Sequence, residues 1–246
     1  MNSSVKLPNF RGMNPHPEAV LITGASRRIG LALAKECLDL GYAVVIHYRS
    51  TPEPALTELR GKSVYFLQQE LGHSPQSLID EALRLPLTLS GLINNASVFT
   101  PGNLTNPLHL EEVISVNALI PAKLGNSFVQ SAKDGKWIIN ITDAHVEPLN
   151  VNYQNYRISK KLFNDITRQM AFLYSPKIRV NAIAPGAILP SPQEQNGETF
   201  KKLARKIPLG KTGDPQFIRH TLRFLIQNEY INGEIIKVDG GWHLLD

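Results

Sequence analysis

Tyr156 and Lys160 are the two residues of this chain whose types and spacing could do acid chemistry. Residues 152–174 carry a helical pattern, so the two side chains fall one turn apart on one face. An ammonium beside a phenol favours the phenolate and lowers the phenol's pKa, which makes an acid usable near neutral pH. Just upstream, residues 137–142 are apolar and rich in β-branched types, the composition of a buried strand, and Asp143 follows them. A carboxyl or hydroxyl at the end of that strand can reach the phenol. These are the parts of a proton-delivery site. Taken alone, a Tyr-x-x-x-Lys spacing is a short motif that a solvated helix face explains equally well, so the elements around it must decide.

Those elements alternate along the chain. Residues 18–23 form a buried-strand run stopped by Gly24, and residues 28–40 follow as a helix with Ile29, Leu31, Leu33, Ala34 and Leu38 on its apolar side. Strand patterns recur at 43–47, 63–67, 89–94, 137–142, 178–183 and 234–238. Helical patterns occupy 75–85, 107–131, 152–174 and 215–228, with an irregular, Pro-rich stretch at 189–197. Alternating β and α elements predict an α/β fold, one doubly wound, Rossmann-like parallel sheet with helices on both faces.

Composition agrees. The chain has 246 residues, 42% hydrophobic, with 17 Gly and 17 Pro, enough for one large core. No shift in composition marks a second domain, so residues 18–246 read as one domain preceded by a loose lead-in, 1–17, without the apolar run of a signal peptide. Cys37 is the only cysteine and sits in a helical pattern, which excludes a disulfide framework or a cysteine metal cluster. That usage suits a reducing cytoplasm. No stretch approaches the ~20 apolar residues of a membrane span. The formal charge of +5 comes from scattered Lys and Arg with no legible nucleic-acid module, and a small polyanionic ligand would account for part of it.

The first strand–helix junction reads Thr23-Gly24-Ala25-Ser26-Arg27-Arg28-Ile29-Gly30. Gly24 permits a tight turn, Gly30 permits close helix–sheet packing, and the helix N-terminus offers N–H groups to a pyrophosphate. Arg28 stands where a middle glycine is usual, and its guanidinium could pair with phosphate. His47-Tyr48-Arg49-Ser50 ends the second strand, with Arg49 nineteen residues after Gly30. An arginine there accommodates a 2′-phosphate, so Arg49 and Ser50 point to NADP(H) rather than NAD(H). Asn94-Asn95-Ala96-Ser97 ends the fourth strand, at the edge of the ligand crevice of such a sheet, where Asn95 and Ser97 can touch cofactor.

From Ala19 to Gly241 the chain resembles the short-chain dehydrogenases/reductases. The resemblance is carried by Thr23-Gly24 through Gly30, Asn94-Asn95-Ala96, Asn117, Tyr156-x-x-x-Lys160, Pro185-Gly186 and Val238-Asp239-Gly240-Gly241. The departures narrow it. The family's third catalytic residue is a serine thirteen positions before the tyrosine, and here that position is Asp143. Thr142 is adjacent but, on a strand, should face the other way. Asp143, Arg28, His47-Tyr48-Arg49-Ser50 and Asn95-Ala96-Ser97 together resemble the pteridine reductases and bacterial dihydromonapterin reductases.

That resemblance implies NADPH held by Gly24, Ser26, Arg28, Ile29, Tyr48, Arg49, Ser50, Glu70, Leu71, Asn95, Ala96, Ser97, Tyr156, Lys160, Pro185 and Gly186. Glu70 stands where the family has an Asp near the adenine. A dihydropterin or dihydrofolate would lie among Ser97, Phe99, Asp143 and Tyr156, with Phe99 stacking it against the nicotinamide. Tyr156 would be the acid, Lys160 would tune it and hold the nicotinamide ribose, Asn117 would support a water chain, and Asp143 would orient Tyr156 or share its proton. The implied protein is a cytoplasmic homotetramer without metal. The competing expectations are a 3-oxoacyl or other carbonyl reductase of the same family and a catalytically silent NADPH-binding regulator.

Overall fold

The computed structural model describes residues 16–72, 74–147, 151–190 and 198–245. Most of the predicted lead-in, residues 1–15, and the 191–197 part of the Pro-rich stretch lie outside the described residues.

Seven strands form one all-parallel sheet in the order β3-β2-β1-β4-β5-β6-β7. They are β1 (Glu18–Ile22), β2 (Ala43–Tyr48), β3 (Val64–Gln68), β4 (Thr88–Asn94), β5 (Trp137–Ile141), β6 (Arg179–Pro185) and β7 (Ile235–Val238). The helices between them are α1 (Arg28–Asp39), α2 (Ala55–Glu58), α3 (Pro75–Leu83), α4 (Pro107–Ile114), α5 (Ile120–Ser131), α6 (Gln154–Tyr174), α7 (Glu198–Leu203) and α8 (Pro215–Gln227). This is the expected doubly wound architecture.

Side chains alternate across each strand, and β1 shows it most simply. Ala19 and Leu21 enter a core with Leu78 and Ile79 of α3, Phe128 of α5 and Met170 of α6. Val20 and Ile22 enter a second core, on the other face, with Leu33 and Cys37 of α1 and Ile218, Leu222 and Leu225 of α8. Cys37 is fully buried there and its thiol is pushed up by burial, so it packs rather than reacts. On the same side, buried Glu36 accepts from Arg219 at 2.8 Å and from Arg223 at 2.6 Å, which pins α1 to α8.

Parallel register brings every strand's carboxyl end to one edge of the sheet. Ile22 pairs with Ile46 and Ile93, Asn94 with Asn140, and Pro185 with Val238. The order reverses between β1 and β4, the switch point where such sheets bind ligands.

The predicted helix over 107–131 is not uniform. A π-helical turn, Ser115–Leu119, separates α4 from α5. Pro121 lies four residues beyond Asn117 and has no N–H to give that carbonyl in an α-helical register. The widened turn is the local response, and such turns concentrate at functional sites.

Candidate active site

The first turns of α6 stand beside the end of β5. Tyr156 Oη donates to Asp143 Oδ2 at 2.8 Å, and the backbone N–H of His145 donates to Asp143 Oδ1 at 2.7 Å. Asp143, not Thr142, therefore meets the phenol. Lys160 is buried one turn along α6, and its Nζ donates to the Ile141 carbonyl at 2.9 Å.

The electrostatics correct one expectation. Lys160 was to lower the phenol's pKa, yet Tyr156 lies well above the usual tyrosine value. Burial is the largest cause, and the Asp143 carboxylate that takes its hydrogen bond adds to it. The ammonium sits 5.9 Å from the ring centroid, turned toward Ile141. Asp143 is raised as well, by burial, against the His145 N–H, the Tyr156 hydroxyl and the Lys160 charge. Lys160 is lowered to about 8, again by burial, with Asp143 opposing. The carboxyl and the phenol thus both hold protons more tightly than usual, and the phenol is kept in the protonated form that an acid needs before transfer.

Asn117, fully buried in the π-helical turn, spends its amide on the loop after β4. Its Oδ1 accepts from Ser97 Oγ at 3.0 Å and Val98 N–H at 2.9 Å; its Nδ2 donates to the Val98 carbonyl and Ser159 Oγ, both at 3.0 Å. The side-chain amide of Asn117 is thus fully engaged by protein partners. Phe99, on the same loop, stacks on Tyr153 with centroids 4.6 Å apart and 5° between planes, and meets the edge of Tyr156 at 4.7 Å and 84°. It remains 43% exposed, so the ring still offers surface to a flat ligand. The loop is fastened to α6: Gly102 N–H donates to the Asn152 carbonyl at 2.7 Å, and His109 bridges Thr100 at 3.0 Å and Asn155 at 2.9 Å.

The glycine turn lies at the β1/β4 switch point. A Cβ on Gly30 would stand 2.6 Å from both the Gly24 carbonyl and Asn95 Nδ2, so this junction admits no side chain. Asn95 Nδ2 donates to the Thr23 and Gly24 carbonyls at 2.9 and 3.0 Å, and the Ala96 N–H donates to Thr23 Oγ1 at 3.0 Å. Arg28 keeps the left-handed backbone of the glycine it replaces, with φ 56°, at a cost of roughly 1–2 kcal/mol. Its Nη2 donates to the Pro190 carbonyl at 2.7 Å, which ties the turn to the segment after β6. Helices α3, α4 and α8 are capped by Ser74, Asn106 and Asp214, but Arg27 gives α1 no side-chain cap. The first N–H groups of α1 thus have no side-chain acceptor, and N–H groups at a helix start suit an anionic group such as a phosphate.

Around this turn the predicted contacts gather unevenly. Ser26 is buried and Ile29 packs on the second core, beside Gly24. Tyr48 is half-buried against Phe66, while Arg49 and Ser50 are exposed at the end of β2. After β3, Glu70 is exposed and Leu71 packs against the first core. Pro185 ends β6, and the Gly186 N–H donates to the Val238 carbonyl at 3.0 Å. His47 was not singled out by itself, yet it organises the turn: Gly24 N–H donates to its Nδ1 at 3.2 Å, and its Nε2 meets the Gln69 carbonyl at 2.9 Å. Those partners require the tautomer protonated on Nε2. Tyr153, His109, His145 and Trp242 were also missed, although Tyr153 lies only three residues before Tyr156, at the N-cap of α6.

Among the described residues, no group of three His, Cys, Asp or Glu is placed to hold a metal, and no helix is long and apolar enough to cross a membrane.

Comparison with known proteins identifies the family. A family model described as enoyl-(acyl carrier protein) reductase matches residues 24–243. A dihydromonapterin reductase of Klebsiella pneumoniae is 33% identical over 92% of this chain and 96% of its own. One from Escherichia coli is 31% identical, over 93% and 98%. Among solved structures, an alternative dihydrofolate reductase 1 (FolM) of Brucella suis, in complex with NADP, superposes with a TM-score of 0.84 at 30% identity, over 92% of this chain and 95% of that one. With the Tyr156–Lys160 pair, the glycine turn and this sheet order, the chain belongs to the short-chain dehydrogenase/reductase family of oxidoreductases.

Proposed function

We propose that this protein reduces a dihydropterin, or the pterin ring of a dihydrofolate, to the tetrahydro form with NADPH. The observation that carries the reading is the 2.8 Å bond from the Tyr156 hydroxyl to Asp143, where the family ordinarily places a serine. A ketone needs its developing oxyanion stabilised, which a serine hydroxyl does in its ordinary neutral state and an Asp does only while protonated. A ring nitrogen needs a proton, and a carboxyl–phenol pair with raised pKa values holds one. The names of the relatives, dihydromonapterin reductase and alternative dihydrofolate reductase, support the same substrate class.

NADPH, when bound, supplies the hydride. The uncapped α1 N-terminus and Arg28 receive its pyrophosphate, and Arg49 with Ser50 the 2′-phosphate. Lys160 holds the nicotinamide ribose. Phe99, already flat against Tyr153, gives the pterin a face to stack on. Tyr156 gives its proton to the ring nitrogen of the bond being reduced, and Asp143 shares that proton and restores it. In this reading residues 18–246 act as one reductase domain of a cytoplasmic homotetramer. Exposed apolar side chains on α6 and beyond α8, among them Phe172, Leu173, Tyr230 and Leu244, support assembly.

The test is NADPH oxidation with dihydrobiopterin, dihydromonapterin and dihydrofolate beside an acetoacetyl thioester. Turnover of a dihydropterin with little or none of the thioester is expected. The reverse result would leave a carbonyl reductase of the same family, and no turnover of any substrate would leave a binding protein.

A further inference from the structure

The acid pair is held by a second device, built from the last turn of the chain. Asp143 accepts through Oδ1 from the backbone N–H of His145, so the carboxylate's orientation follows where residues 143–145 lie. The ring of His145 stacks on Trp242, with centroids 4.2 Å apart and 20° between planes. Trp242 is aimed there by the Asp239-Gly240-Gly241 turn. Both glycines adopt left-handed backbone, with φ 66° and 83°, a conformation that folds the chain back within two residues. Asp239 fastens the turn, accepting from the Gly241 N–H at 3.0 Å, the His243 N–H at 2.8 Å and His243 Nδ1 at 2.8 Å.

The same region is tied to the site from below. Ala144 N–H donates to the Pro185 carbonyl and Gly186 N–H to the Val238 carbonyl, both at 3.0 Å. A Cβ on Gly186 would stand 2.5 Å from that of Asp239, so the two segments are in direct contact. Residues 143–145 are therefore clamped between a backbone ladder through β6 and β7 and the indole of Trp242. The titratable groups facing Asp143 are Tyr156, Lys160 and His145.

We propose that Trp242 is a positioning residue for the acid pair: by stacking on His145 it fixes the N–H that orients the Asp143 carboxylate toward the Tyr156 hydroxyl. The inference rests on Tyr156 and Asp143 being the acid pair of the proposed function, and not on the pterin as substrate. It gives the terminal turn a part in proton transfer, without contact between Trp242 and the reacting atoms.

Two full-length variants test it. Trp242→Leu keeps apolar bulk and removes the stacking face, and Trp242→Phe keeps an aromatic ring. In Trp242→Leu, kcat should fall about tenfold, equivalent to about 1.4 kcal/mol of barrier, while the NADPH KM moves less than about twofold. The His145 N–H opposes protonation of Asp143, so loosening it should move the pH limb that reports this carboxyl to higher pH. Trp242→Phe should retain most of kcat and the wild-type limb. A Trp242→Leu enzyme with wild-type kcat and pH profile overturns the proposal. So does equal loss in both variants with the limb unmoved, which would mean packing alone. The assay uses the substrate that the wild type turns over; a wild type active only on a keto compound overturns the pterin reading and leaves this comparison intact.

Discussion

Replacing Asp143 by Asn separates a carboxyl that shares the proton from one that merely holds the phenol in place. The bond from Tyr156 is 2.8 Å long and ends on a carboxylate oxygen. A hydrogen bond to a charged group contributes about 1.5–3 kcal/mol, and about 1.4 kcal/mol is a factor of ten in rate. Asp143→Ala should therefore lower kcat roughly ten- to hundredfold. Asn keeps an acceptor oxygen but can neither carry the charge nor supply the proton, so Asp143→Asn should be impaired nearly as much. Wild-type kcat should fall as pH rises through the raised Asp143 pKa, and Asn should lack that limb. Stability gives a second readout. A carboxyl whose folded pKa is raised stabilises the fold relatively at low pH and loses that contribution as pH rises through the raised value. Asp143→Asn should thus have a higher Tm than wild type at neutral pH, with the gain vanishing below the ordinary carboxylate pKa. An Asn variant with near-wild-type kcat and an unchanged limb would refute proton sharing.

Arg49→Ala should weaken NADPH binding roughly ten- to hundredfold, the worth of one charge-assisted bond, and leave NADH nearly unchanged; titration of cofactor fluorescence measures both, and equal losses would place Arg49 in the fold. Phe99→Ala should raise the dihydropterin KM by roughly two- to tenfold, from stacking worth about 0.5–1.5 kcal/mol, more than it alters NADPH affinity. Lys160 is lowered to about 8 by burial, so its cation is present below that pH and lost above it. The NADPH KM of the wild type should accordingly rise through pH 8, and Lys160→Met should show a high KM without that dependence.

Much of this site was legible because its signals are local. Strand runs such as residues 18–23 and 43–47 need only apolar composition, and their parallel pairing follows from the helices between them. Asp143 could be assigned because its spacing to Tyr156 is a property of the chain. Arg28's role was half legible. Its position in the glycine motif is visible, but its left-handed backbone and its bond to Pro190 depend on what surrounds it. The sign of the Tyr156 shift was misread for the same reason. Spacing places an ammonium near the phenol, whereas burial and the carboxylate's contact, which spacing does not contain, outweigh it. Pro121 was a readable cue to the π-helical turn that went unused. The stack of His145 on Trp242 joins two distant segments and left no pattern to read.

A carboxyl stands where the family usually places a hydroxyl, and one measurement bears on it most directly: the ratio of kcat/KM for dihydropterin to that for an acetoacetyl thioester, in wild type and in Asp143→Ser. Wild type should favour the dihydropterin by at least about a hundredfold, the larger value of one charge-assisted bond. Asp143→Ser should collapse that preference by losing pterin reduction and admitting the keto compound. A ratio that is the same in both enzymes, or a wild type that prefers the thioester, would contradict the account.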